Sequence, residues 1–244
     1  MRTMEMITFQ VRSGPLGCIL MNALTFIYHP FDKALFRLKK EILSVMSSDG
    51  YVALKDECAV NGQDEMEFVL AEENLKELYA FTKKVKDLKT KPGWIEVKVT
   101  GFDLTAREIA TGEEVSIPCL GFSVNDLLIH QLGNFFDVLD DIPSMTDVPV
   151  AIHPERLRDI ARIKVNAVAD IAKGSPLDIR FVENPIMRAK AEASNAMDRY
   201  IAQQVMVVKN GPTARLLVAG LNRDKCRGNL ESYEEGVSHR CLWE

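Results

Sequence analysis

The chain has no apolar run approaching the roughly 18 to 20 residues that a membrane-crossing helix requires, so a helical membrane protein is excluded and a soluble one expected. It has no CxxC pair, and its five cysteines (Cys18, Cys58, Cys119, Cys226, Cys241) are scattered and odd in number. That pattern argues against a disulfide framework and for reduced thiols. In the opening MRTMEMITFQV, Glu5 interrupts the apolar residues, no long apolar stretch follows and no clear small-residue cleavage site appears. A secretory signal is therefore not expected, and a cytoplasmic address follows.

The signatures of catalysis are missing too. There is no GxxxxGK[ST] loop, no GxGxxG after a strand, no HExxH and no GxSxG. The four histidines (His29, His130, His153, His239) are isolated, and the Asp140-Asp141 pair reads as a solvated turn. Cys226, His239 and Cys241 have side chains that suit zinc, but they lack a fourth ligand and the usual paired spacing. No catalytic residue, metal or cofactor is expected. A net charge of -5 argues against coating nucleic acid through bulk charge, yet leaves room for a locally basic surface on an acidic body.

What is present is a succession of strand and helix patterns. Met6–Val11 alternates as a strand, Arg12-Ser13-Gly14-Pro15 reads as a break, and the almost continuously apolar Leu16–Tyr28 reads as a buried helix. Ile42–Ser47, Ser48-Asp49-Gly50 and Tyr51–Leu54 form a hairpin signal, with Asp-Gly suited to positive φ. Glu65–Leu70 is a strand leading into Ala71–Leu88, a helix with acids early and lysines late. Trp94–Thr100, Asp103–Ile109 and Glu114–Ile117 are three further strands.

A second unit opens with a helical pattern at Val124–Leu139, then a short strand at Val148–His153 and a helix that Pro154 opens without losing a bond. Leu177–Val182, Ile186–Ala191 and Tyr200–Val208 read as strands. The tail from Thr213, with its apolar run ARLLVAGL, fits neither unit.

Two stretches resemble the sliding-clamp family, the ring-shaped processivity factors that hold polymerases on DNA. One is Ile42–Leu120, where ILSVMSSDGYVALKDECAV, EMEFVLAEENLKELYAF and WIEVKVTGFDLTAREIATGEEVSIPCL follow the order of a bacterial-type clamp domain. The other comprises HPERLRDIARI, PLDIRFVENPIMRA and YIAQQVMVV, which is similar to the end of such a clamp. The resemblance implies an α+β fold of sliding-clamp-like domains, each with helices packed on antiparallel sheet: domain 1 over residues 1–122, a shortened domain 2 over 123–210 and a C-terminal extension over 211–244. Bacterial clamps have three domains per chain, and this chain holds about two. Between Leu139 and Val148 there is also no room for the strands that should separate two helices, so the second unit is truncated or its first helix departs from the clamp pattern. A divergent version is expected, with a viral source as one guess.

The resemblance further implies that helices lining a central hole present bases to the phosphates of double-stranded DNA, without reading sequence. Lys76, Lys83, Lys84, Lys86 and Lys89 in the first unit, and Arg158, Arg162 and Lys164 in the second, are the DNA-facing candidates. Their plain structural reading is a solvated helix face. It implies as well an apolar pocket for partner peptides, with Val205, Met206, Val207 and Val208 at the matching position; their plain reading is strand core. The expected partners are DNA, a DNA polymerase or other clamp-binding protein, and further copies of the chain, with a trimer favoured and no membrane. The competing reading is a clamp-fold or other α+β interaction or regulatory protein that does not encircle DNA, in which Leu242-Trp243 docks in a partner or covers the protein's own core.

Overall fold

The computed structural model describes residues 6–27, 32–88, 90–120, 133–134, 136–139, 154–163, 177–184, 191–194, 204–210 and 213–219. The expected strand at Val148–His153, most of the expected helix at Val124–Leu139, Ile186–Lys190 of another expected strand, and Cys226, His239, Cys241, Leu242 and Trp243 lie outside them.

Strand β1 (Ile7–Arg12) buries alternate residues and runs directly into helix α1 (Ser13–Thr25). The break expected at Arg12-Ser13-Gly14-Pro15 is instead the first helical turn. Pro15 falls where an amide has no intrahelical partner to lose. The Asp87 carboxylate accepts hydrogen bonds from the Gly14 amide at 3.0 Å and from Arg12 Nη2 at 2.8 Å, supplying from elsewhere in the chain the cap that Arg12 lacks.

Lys33–Lys39, given no element on sequence grounds, forms β2. The predicted hairpin joins β3 (Ile42–Ser48) to β4 (Val52–Asn61). Gly50 sits at φ 89°, and Asp49 Oδ1 accepts from the amides of Tyr51 and Val52 at 2.8 and 2.7 Å. Strand β5 (Met66–Ala71) leads into α2 (Glu72–Lys84), shorter at its C-terminus than the sequence pattern because the backbone turns extended at Val85, whose carbonyl accepts from Ser13 Oγ. Strands β6 (Trp94–Thr100), β7 (Asp103–Glu108) and β8 (Glu114–Pro118) form the expected meander. The later elements are helix α3 (Pro154–Arg162) and strands β9 (Leu177–Glu183), β10 (Gln204–Asn210) and β11 (Ala214–Ala219).

The first eight strands follow the order β5-β2-β3-β4-β1-β6-β7-β8, and the Leu120 amide donates to the Val69 carbonyl, so the chain after β8 returns to β5. Every named strand pairing is antiparallel. Strand β4 is the hinge of the architecture. One edge pairs with β3; the other pairs with β11 over Val52–Lys55 and with β1 at Val60 and Asn61. The apolar run ARLLVAGL thus supplies β11, which pairs with both β10 and β4 and makes one sheet of early and late strands.

Strand alternation sorts the core into two layers. Phe36, Val45, Leu54, Met206, Val208 and Leu216 face a cluster that includes Leu16 and Leu20 of α1, Leu75 and Leu78 of α2, and Ile160 of α3. Leu35, Met46, Ala53, Val205, Val207 and Leu217 face the other way, against Phe136 and Leu139. The three helices therefore cover one side of the sheet, and the short helical stretch around Phe136 straps the other.

Candidate nucleic-acid interface

Helix α2 turns Leu75, Leu78 and Phe81 inward, and the helical period leaves Lys76, Lys83 and Lys84 exposed. Lys86, just beyond the helix, is exposed as well. On α3, Ile160 is buried while Arg158 and Arg162 are exposed. Because both helices seal the same cluster, these bases decorate the helical side of the sheet. Lys89 and Lys164 lie outside the described residues.

The bases differ in how far they are neutralised. Lys76 pairs with Glu72 one turn earlier, Lys84 Nζ lies 3.5 Å from Glu113, and Arg162 lies 3.5 Å from Asp159. Lys83 lies over the Tyr79 ring at 4.1 Å, a contact that leaves its charge intact. Helix α2 is polarised: Glu72 and Glu73 occupy its first turn and Lys83 and Lys84 its last, as the helix dipole favours. Positive charge thus gathers at its C-terminal end, where the turn between Leu88 and Lys91 adds the exposed Lys91, absent from the sequence-based candidates. Charge clustering after α2 was the available signal, but only the return of the chain places Lys91 there. Gly93 makes that return possible, since a Cβ at this position would meet the Lys86 carbonyl oxygen at 2.5 Å. Helix α1, with the sequence SGPLGCILMNALT, contributes no base.

Val205, Met206, Val207 and Val208 are 1, 2, 4 and 0% exposed, so none presents an apolar surface of its own. Val205 and Val207 face the strap, and Met206 and Val208 face the helical layer. Strap residue Asp137 binds Arg37 Nη1 at 2.7 Å, and the Leu139 carbonyl accepts from Arg180. Phe136 and Leu139 therefore pack on the side of the sheet opposite α1 and α2, not within the helical layer.

The fully buried Asp56 lies on β4 between its pairings with β11 and β1. Burial pushes its carboxyl pKa upward, and the hydrogen bond from Asn22 Nδ2 at 2.8 Å pulls the other way. Burial also raises the thiols of Cys58 and Cys119, the latter to about 12, which keeps them protonated and unreactive. Among the described residues no group of three or more histidine, cysteine, aspartate or glutamate side chains is placed to hold a metal ion. No described helix is long and apolar enough to cross a membrane.

A solved structure of a DNA sliding clamp is similar to this fold. The DNA polymerase sliding clamp from Pseudomonas aeruginosa is similar with a TM-score of 0.54 at 9% identity, over 88% of this chain and 67% of that one. The beta sliding clamp of C. crescentus matches with a TM-score of 0.47 at 12% identity, over 90% of this chain and 66% of that one. For the DNA polymerase III beta subunit from Thermotoga maritima the values are 0.48 and 14%, over 88% and 65%. The chain has the sliding-clamp fold, and it spans about two thirds of the length of these clamps. No protein-family model matches it, and no curated protein matches it in sequence.

Proposed function

We propose that the protein is a non-catalytic sliding-clamp-like processivity factor that encircles double-stranded DNA as a homo-oligomeric ring and tethers a DNA polymerase or another partner enzyme. The observation that carries this reading is that α2 and α3, which carry the exposed bases Lys83, Lys84, Lys86, Arg158 and Arg162 on or beside them, lie on one side of a continuous sheet. Bases held there by packed helices meet phosphates without reading base edges, which suits a protein that must move along the duplex. Among closed rings, a trimer of clamp-like units is the one we favour.

The test is solution mass by light scattering, at several concentrations, together with retention on circular and linear DNA. A discrete trimer that stays on circular DNA and runs off linear DNA supports the ring. A strict monomer overturns it.

A second reading rests on charge. Helix α1 carries no base, and α2 sets Glu72, Glu73 and Glu77 against Lys76, Lys83 and Lys84. That balance suits a clamp-fold interaction protein that does not encircle DNA, for which the expected results are a monomer and equal retention on circular and linear DNA.

A further inference from the structure

The seam between β5-β2-β3-β4 and β1-β6-β7-β8 is short. Strand β4 meets β1 through two residue pairs, Val60 with Val11 and Asn61 with Gln10. Asn61 is the last residue of β4, and the chain leaves the ladder at Gly62. Packing dictates that glycine: a Cβ at position 62 would lie 2.8 Å from the Cβ of the buried Phe9. The fold thus requires a glycine directly after an asparagine at the seam. Such a pair is chemically labile, because the backbone nitrogen that follows an asparagine can attack its side-chain amide and glycine has no Cβ to hinder the approach. The Asn61 side chain is exposed, and among the described residues neither its carboxamide nor the Gly62 amide is held by a hydrogen bond. The other asparagines of the early and late strands are guarded: the buried Asn22 donates to Asp56 at 2.8 Å, Asn74 donates to the Pro118 carbonyl at 2.8 Å and precedes Leu75, and Asn184 is buried.

We propose that Asn61 is a site of spontaneous backbone modification that loosens this seam as the protein ages. The Gly62 nitrogen bonds to Asn61 Cγ, the side-chain nitrogen leaves as ammonia carrying the Gly62 amide proton, and a cyclic imide closes. Water then opens the ring at either carbonyl. One opening gives aspartate on the original chain path; the other gives isoaspartate, in which the chain runs through the former side chain. Both products add a negative charge to the row formed by Asn61, Gln10 and Glu96 across β4, β1 and β6. Isoaspartate also lengthens the backbone by one carbon, which shifts Gly62 against Phe9 and leaves Val60 with Val11 as the intact pair of the seam. The inference goes beyond the clamp reading and does not depend on it, because the seam belongs to a single chain and no DNA takes part.

The experiment ages the full-length wild-type protein, folded and without DNA, at mildly alkaline pH and physiological temperature, and follows it by tryptic peptide mapping with mass spectrometry. The peptide spanning residues 56–76 holds both Asn61 and Asn74, so Asn74 serves as the internal control. Conversion of amide to acid is expected at least tenfold faster at Asn61 than at Asn74, with isoaspartate among the products. Equal rates at the two residues, or no conversion at Asn61, overturn the inference. The loosening is read separately, on the isoaspartyl species isolated by anion exchange. That species is expected to melt at a lower temperature than Asn61→Asp, which carries the same charge on an ordinary backbone. Equal melting temperatures overturn the claim that the modification loosens the seam. Neither readout involves DNA, so failure of the clamp reading does not alter the result.

Discussion

Asp87 caps helix α1 from across the fold: its carboxylate accepts the Gly14 amide at 3.0 Å, although the two residues are 73 positions apart in sequence. The same side chain accepts from Arg12 at 2.8 Å and from the Gly93 amide at 3.1 Å, and it is only 8% exposed. It therefore ties the start of α1 to the segment that leaves α2 and to the start of β6. Asp87→Ala strands two backbone donors and a guanidinium. We expect it to destabilise the fold by about 2–3 kcal/mol, the sum expected for a lost cap and a lost charge-assisted bond. Urea unfolding of the variant against the wild type checks this, and an unchanged midpoint would refute it.

Asp56 predicts a pH dependence of definite sign. Burial raises its pKa in the folded protein, so the neutral carboxyl is the form that folding favours. Its contribution to stability is fully present below the ordinary aspartate range and is lost as pH rises toward the raised value, at about 1.4 kcal/mol for each pH unit climbed between the two. Asp56→Asn removes this titration. The melting temperature of the variant relative to the wild type should rise as pH climbs above the ordinary aspartate value near 3.9. A difference independent of pH would show that Asp56 does not titrate in this way.

If the helical side faces DNA, the bases should not contribute equally. Lys83 and Lys86 are expected to matter more than Lys76, because Lys76 is already paired with Glu72. Replacing both Lys83 and Lys86 by Ala should lower the slope of log affinity against log salt by about 1.8, from about 0.9 for each phosphate contact. Lys76→Ala should change it far less. A salt titration of DNA retention distinguishes the three proteins, and an identical slope for all would remove these residues from the interface.

Leu217 is fully buried in the strap-side core, opposite Ala53 on β4 and Val207 on β10. Leu217→Ala leaves a cavity at the junction of early and late strands, which should cost about 2–5 kcal/mol. Because Phe136 belongs to the same cluster, hydrogen exchange should also quicken at the strap amides. Loss of stability without faster strap exchange would uncouple the strap from that junction.

Much of the first part of the chain was legible in advance. The period-2 alternation of β1, β6 and β7, the Asp49-Gly50 turn and the amphipathic spacing of α2 are local signals, and local chemistry honours them. Strand β2 escaped notice because KALFRLK lies in a sheet sealed on both sides. Leu35 enters one core layer and Ala34, Phe36 and Leu38 the other, which erases the simple alternation. The exposed lysines of α2 were readable as a helix face, whereas Lys91 depends on a backbone return that Gly93 permits.

By itself, then, the sequence determined which segments are strands or helices wherever burial is one-sided, and which lysines a helical period turns outward. The tertiary structure alone decided that Ala214–Ala219 completes a sheet with β4, that Asp87 caps a distant helix, and that Phe136 and Leu139 cover Val205 and Val207. The physical reason is that a valine or leucine carries the same hydrophobicity into any core. Which face it meets, and what covers that face, is set by strand pairing between residues far apart in the chain.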